Sequence, residues 1–174
     1  HPRDRRQRQM CIRDRKNKVH VITPNKALIS KHGDKLSEIA EKNKVNLEYE
    51  ASVGGGIPIL RTIKEGLATN KISKVYGILN GTCNYILSEM EKTKDSFKNV
   101  LKKAQHLGYA EPGNPKLDLN GYDALAKVRI LSALAFNKKV SKNNPLMEGI
   151  ENIESKDFDI AEQLNLRIKL LGIT

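Results

Sequence analysis

At 174 residues, with 39% apolar and 29% charged residues and no Trp, the chain is long enough to bury a core in one domain, or in one domain and part of another. No apolar run reaches membrane-spanning length, no leader of charged, apolar and small segments is visible, and Cys11 and Cys83 have neither metal-ligand spacing nor the number for a disulfide framework, so a cytoplasmic protein with no membrane partner is expected. The net charge of +11 raises the question of nucleic acid, but residues 1–15 hold six Arg against two Asp, the rest of the excess is scattered Lys, and no aromatic-interleaved basic stripe or nucleic-acid motif occurs, so no nucleic-acid partner is expected.

Residues 1–15 lack periodicity and read as a foreign or disordered basic lead. Val19–Thr23 is a short apolar strand, and Pro24-Asn25 opens a helix. His32-Gly33 is expected to interrupt that helix, which resumes from Asp34 to about Lys44. Asn46–Val53 reads as a strand, Gly54-Gly55-Gly56 as a break, and Pro58 as the first turn of a helix to about Leu67. Ile72–Leu79 is predicted as a second strand, followed by a helix from Thr82 to about Lys92. Another helix is capped by Ser96 and ended by Gly108. Tyr109–Leu119, with two prolines and a glycine, reads as irregular. Asn120 to about Phe136 is a helix with Ala124, Val128, Leu131 and Ala135 as its core stripe. A polar loop over 137–147, a short strand at Ile150–Ile153, a helix at Asp157–Asn165 and a strand at Arg167–Ile173 complete the series. Strands alternating with helices make the fold α/β or α+β.

The most informative residues are Glu111, Asp118, Asp123 and Lys127. Asp123 and Lys127 are four apart on a predicted helix and share a face, with Ile130, Leu131 and Leu134 beside the lysine. A lysine against apolar surface, with carboxylates close in sequence, has an environment that tunes an amine for proton transfer. A surface ion pair on an amphipathic helix is the competing reading of the same spacing.

The segments VITPNKALISKHG, EASVGGGIPILRTIKEGL, VYGILNGTCNYILSEM, LGYAEP with LDLNGYDALAK, and EGIENI with DIAEQLNLRIKLLGI occur in that order and together resemble homoserine dehydrogenase over residues 16–174. The resemblance implies an oxidoreductase that interconverts L-homoserine and L-aspartate 4-semialdehyde with NAD or NADP, in threonine, methionine and isoleucine biosynthesis. It implies a Rossmann cofactor domain and an α+β catalytic domain with a mixed sheet, the latter carrying a homodimer interface. The G-x-G-x-x-G fingerprint of a Rossmann domain does not occur in the chain, and Gly54–Gly56 lacks its spacing. On this reading residues 16–45 are the end of the NAD(P)-binding domain and residues 46–174 a catalytic domain truncated at its C-terminus. This piece alone is then expected to bind NAD(P) poorly and to be inactive.

The resemblance also implies roles. Lys127 becomes the proton-transfer group, because hydride removal from an alcohol requires its hydroxyl proton to leave. Glu111 and Asp123 become the partners of the substrate ammonium; alone, the one reads as a solvated loop carboxylate and the other as a first-turn acid at a helix dipole. Asp118 is expected to orient Lys127 or the substrate, although Glu111 to Asp118 spans seven steps where six is usual in the family. Lys26, after a strand in TPNKA, is set among the catalytic residues and beside the cofactor, where its own pattern allows a plain helix-surface lysine. Gly108 is placed against the cofactor, though ending a helix already accounts for a glycine there. Glu50 with the carbonyls of Val53, Gly55 and Ile57 resembles a site for a monovalent cation such as Na+, against the alternative of a glycine turn. Cys83 reads as a buried small hydrophobe. Three rival readings are another NAD(P)-linked oxidoreductase of amino-acid metabolism, a basic non-catalytic nucleic-acid-binding domain, and a catalytically dead interaction domain.

Overall fold

The computed structural model describes residues 2–113, 115–139 and 145–174. The fold is α/β, dominated by helices, with two small two-stranded sheets. The chain forms two compact units, one of residues 1–75, 126–144 and 174, the other of residues 76–125 and 145–173. Among the described residues no helix is long and apolar enough to cross a membrane.

In the first unit, β1 (Val21–Ile22) pairs in parallel with β2 (Leu47–Glu48), with Val21 N–H donating to the Asn46 carbonyl and Thr23 N–H to that of Glu48, both at 2.9 Å. Between them runs α2 (Lys26–Lys42), started by Asn25, whose Oδ1 accepts from Leu28 N–H at 2.9 Å. Leu28, Ile29, Leu36 and Ala40 are its buried face. The interruption expected at His32-Gly33 does not occur; a glycine weakens a helix interior by about 1 kcal/mol, which this packed apolar face outweighs. The basic lead is helix α1 (Pro2–Lys16), not a disordered arm. It packs on α2, buries Cys11 and places Gln7 Oε1 to accept from Asn25 Nδ2 at 2.6 Å.

The strand expected at 46–53 ends at Glu48 and gives way to a 3-10 turn, Glu50–Ser52. Gly54 (φ 75°) and Gly55 (φ 58°) then carry the chain through left-handed backbone into α3 (Ile59–Arg61), which widens into a π turn, Thr62–Gly66, closed by Leu67 N–H on the Thr62 carbonyl at 2.9 Å.

In the second unit, β3 (Tyr76–Gly77) pairs antiparallel with β4 (Gly172–Ile173). The longer strands expected at 72–79 and 167–173 shrink to these two-residue ladders, because strand extent follows the backbone pairing available and not the apolar run alone. Helix α4 (Gly81–Thr93) ends at Lys94 in left-handed backbone (φ 57°), and α5 (Phe97–His106) is capped by Ser96 and ended by Gly108 (φ 78°), as its sequence predicts. The segment read as irregular over 109–119 contains a short helix, α6 (Lys116–Leu119), started by Pro115, whose preset φ suits a helix entry. Ile150–Ile153 is a turn and not a strand, fastened by Ile150 N–H to the Leu119 carbonyl at 2.9 Å. Helix α8 (Ser155–Gln163) begins where Asp157 accepts from Glu154 N–H at 2.7 Å. Cys83, Ile86, Leu87 and Met90 of α4 meet Val100 and Ala104 of α5, Leu119 of α6 and Phe158 of α8 in the unit's core.

Helix α7 (Tyr122–Ala135) has residues in both units. Of its predicted stripe, Ala124 and Leu131 are buried and Val128 and Ala135 half-buried. Residues 140–144 of the expected polar loop lie outside the described residues.

Candidate active site

Local chain geometry brings two of the singled-out carboxylates together. Asp118 sits on α6 and Asp123 in the first turn of α7. Between them Gly121 turns the chain with φ 82°; a side chain there would be strained and would press on the Glu148 carbonyl at 3.2 Å. The tight connection carries both carboxylates to one group, the side chain of Asn80. Asn80 Nδ2 donates to Asp118 Oδ1 at 2.8 Å and to Asp123 Oδ2 at 2.9 Å. Its Oδ1 accepts from Cys83 N–H at 2.8 Å and so caps α4. Asn80 is 5% and Asp123 7% exposed, so Asp123 is not half of the surface ion pair that its spacing from Lys127 also allows. Charge-assisted hydrogen bonds of this kind are what make an ionised carboxylate tolerable when buried.

Cys83 lies directly beneath. Its side chain is fully buried, as expected of a small hydrophobe, and its Sγ donates to the Asp118 backbone carbonyl at 3.3 Å. Burial first, and then the charges of Asp118 and Asp123, push the thiol up to about 12. It is therefore a protonated packing group with no nucleophilic character at neutral pH.

Lys127 stands four residues after Asp123 on α7 and is half-buried. Glu111 is exposed, in the segment after Gly108. That segment is braced on both sides. Tyr109 stacks on Tyr85 of α4 with ring centroids 4.3 Å apart, and its carbonyl accepts from Thr82 Oγ1 at 2.8 Å. Gln105 Nε2 donates to the Glu111 carbonyl at 3.2 Å and to that of Gly113 at 3.0 Å. Gly108 is exposed, and a Cβ built on it would meet no atom within 4 Å, so its backbone is open to close approach.

In the first unit, Lys26 is the opening residue of α2, just past β1 and half-buried. Glu50, Val53, Gly55 and Ile57 lie together on the glycine-rich connection before α3. The Glu50 carboxylate accepts from Leu60 N–H through Oε1 and from Arg61 N–H through Oε2, both at 2.9 Å. Among the described residues no group of three or more His, Cys, Asp or Glu side chains is arranged to hold a metal.

Asn80 is the residue that sequence reading passed over. The signal was present, since Asn-Gly ahead of an apolar helix fits an N-cap, but the partners of its amide lie 38 and 43 positions away.

A family profile described as homoserine dehydrogenase matches residues 58–174. A homoserine dehydrogenase of Neisseria gonorrhoeae is 47% identical over 158 residues, which are 91% of this chain and 36% of that protein. That of Bacillus subtilis is 42% identical over 166 residues, 95% of this chain and 38% of its own length. The crystal structure of a homoserine dehydrogenase from Thiobacillus denitrificans superposes with a TM-score of 0.92 at 44% identity, covering 96% of this chain and 38% of that one. The chain thus spans little more than a third of the length of these relatives, and over that span it belongs to the homoserine dehydrogenase family.

Proposed function

We propose that the whole protein interconverts L-homoserine and L-aspartate 4-semialdehyde with NAD or NADP in cytoplasmic amino-acid biosynthesis leading to threonine, methionine and isoleucine, and that this chain supplies its catalytic apparatus. The observation that carries the reading is the pair of carboxylates, Asp118 and Asp123, gathered on Asn80 at the start of the helix that bears Lys127, in a chain of this family. An α-amino acid substrate presents an ammonium group, and Asp123 with Glu111 supplies the negative charge to hold it. Asp123 is buried, so its attraction is less screened than that of a surface acid. Lys127 takes the hydroxyl proton as the alcohol is oxidised and returns it in the reverse direction, while Asp118 orients the lysine or the substrate.

The nicotinamide cofactor, when bound, accepts the hydride from the carbinol carbon or delivers it to the aldehyde. Lys26, the opening residue of α2, and the bare backbone of Gly108 are the residues of this chain that would face it. A monovalent cation such as Na+ would take the Glu50 carboxylate and the carbonyls of Val53, Gly55 and Ile57 as oxygen ligands, in a structural role. The proposed division sets residues 16–45 at the end of the cofactor domain and residues 46–174 in the catalytic and dimerisation domain, with a homodimer as the working form.

The test is an assay of the full-length protein for NAD(P)+ reduction with L-homoserine and with other amino alcohols. Homoserine-dependent turnover that exceeds the others is the expected result. A preference for another amino alcohol would move the protein to a different amino-acid oxidoreductase, and no turnover of any would refute the proposal.

A further inference from the structure

We infer that Asn80 is a positioning residue for the reaction: its amide holds Asp123, one of the two acids proposed to grip the substrate ammonium, in place beside Asp118. The inference rests on the function proposed above. Its support is geometric. An asparagine amide has two N–H bonds, and here each goes to a different carboxylate, at 2.8 and 2.9 Å. The orientation of the amide is unambiguous, because its other end faces the N–H of Cys83 at 2.8 Å and must therefore be the oxygen. All three polar functions of the side chain are thus engaged, and its burial, with 5% exposed, removes competing water.

The chemistry of the bridge also matters. A lysine or arginine at this position would hold the two carboxylates equally well but would cancel their charge. The neutral amide draws them together without itself cancelling their negative charge. Capping α4 accounts for the Asn80 oxygen only; it does not explain why both amide hydrogens point to carboxylates that belong to other helices.

Asn80→Ser separates these two roles. Serine caps a helix about as well as asparagine. Its single hydroxyl hydrogen serves one carboxylate and cannot bridge two. Asn80→Asp is the second variant: it keeps an acceptor for Cys83 N–H and removes both donors. In the full-length enzyme, Asn80→Ser is expected to raise the KM for homoserine by about 10- to 100-fold, the scale of one lost hydrogen bond to a charged group. The KM for the cofactor should not change. Asn80→Asp, with a third carboxylate in place of the bridge, should show the larger rise. If the parent enzyme turns over homoserine and both variants match it in homoserine KM, the positioning role is refuted and the proposed function stands. A parent inert on homoserine removes the functional reading and this inference with it.

Discussion

Glu50 offers the sharpest energetic test of how the glycine-rich connection is built. The N-cap position of α3 is Pro58, which has no side-chain acceptor, so the amides of the first turn must be satisfied from elsewhere. Glu50 does so across ten residues, giving one carboxylate oxygen to Leu60 N–H and the other to Arg61 N–H, each at 2.9 Å. A hydrogen bond to a charged group contributes about 1.5–3 kcal/mol, and water can replace part of this at a half-exposed carboxylate, so Glu50→Ala should cost about 2–4 kcal/mol in local stability. Glu50→Gln keeps an acceptor for one amide and turns N–H against the other, so about half that cost is expected. Hydrogen exchange of the full-length protein, read at the Leu60 and Arg61 amides, measures it directly: about 2–4 kcal/mol corresponds to a loss of protection of roughly 30- to 700-fold. Replacing sodium by choline in the buffer separates capping from cation binding, because the capping loss persists in both. Protection at both amides within about threefold of the parent would refute the reasoning.

Two further perturbations follow from the second unit. The Cys83 thiol is raised from 9.0 to about 12 in the folded state, so folding retains a proton that the unfolded chain releases; the stability involved is fully present below pH 9 and is lost as pH rises toward 12. The slope of unfolding free energy against pH over that window should be less steep in Cys83→Ala by about 1.4 kcal/mol per pH unit, and equal slopes would contradict the assignment. Gly149→Ala would set a Cβ 2.4 Å from the Leu119 carbonyl oxygen and 2.8 Å from Asn120 Cα, both backbone atoms with little freedom to give way. The expected loss is about 1–3 kcal/mol in chemical denaturation, with a rise in homoserine KM because α6 carries Asp118; an unchanged denaturation midpoint would show that the backbone there yields freely.

Features set by neighbouring residues were readable in the chain; those set by distant partners were not. Ser96, Gly108 and the Asn25 cap announce helix ends because capping is satisfied within three or four residues. The strands expected at 46–53 and 72–79 exceed the observed ones because an apolar, β-prone run does not say how much backbone will find a partner. Gly33 looked like a break because intrinsic propensity disfavours it, whereas the packing of Leu28, Ile29 and Leu36 decides the matter. Asp123 and Lys127 could be placed on one helix from spacing alone. The bridge from Asn80 could not, since it joins three helices through contacts 38 and 43 residues apart.

The central claim concerns the amine of Lys127, and single-turnover hydride transfer in the full-length Lys127→Met enzyme tests it most directly. Methionine keeps much of the side-chain volume of the half-buried lysine and removes its proton-transfer capacity. Transfer from L-homoserine to the bound cofactor should slow by about 100- to 10,000-fold, the usual contribution of a positioned acid-base group, with cofactor affinity preserved. Transfer at the parent rate would contradict the role assigned to Lys127.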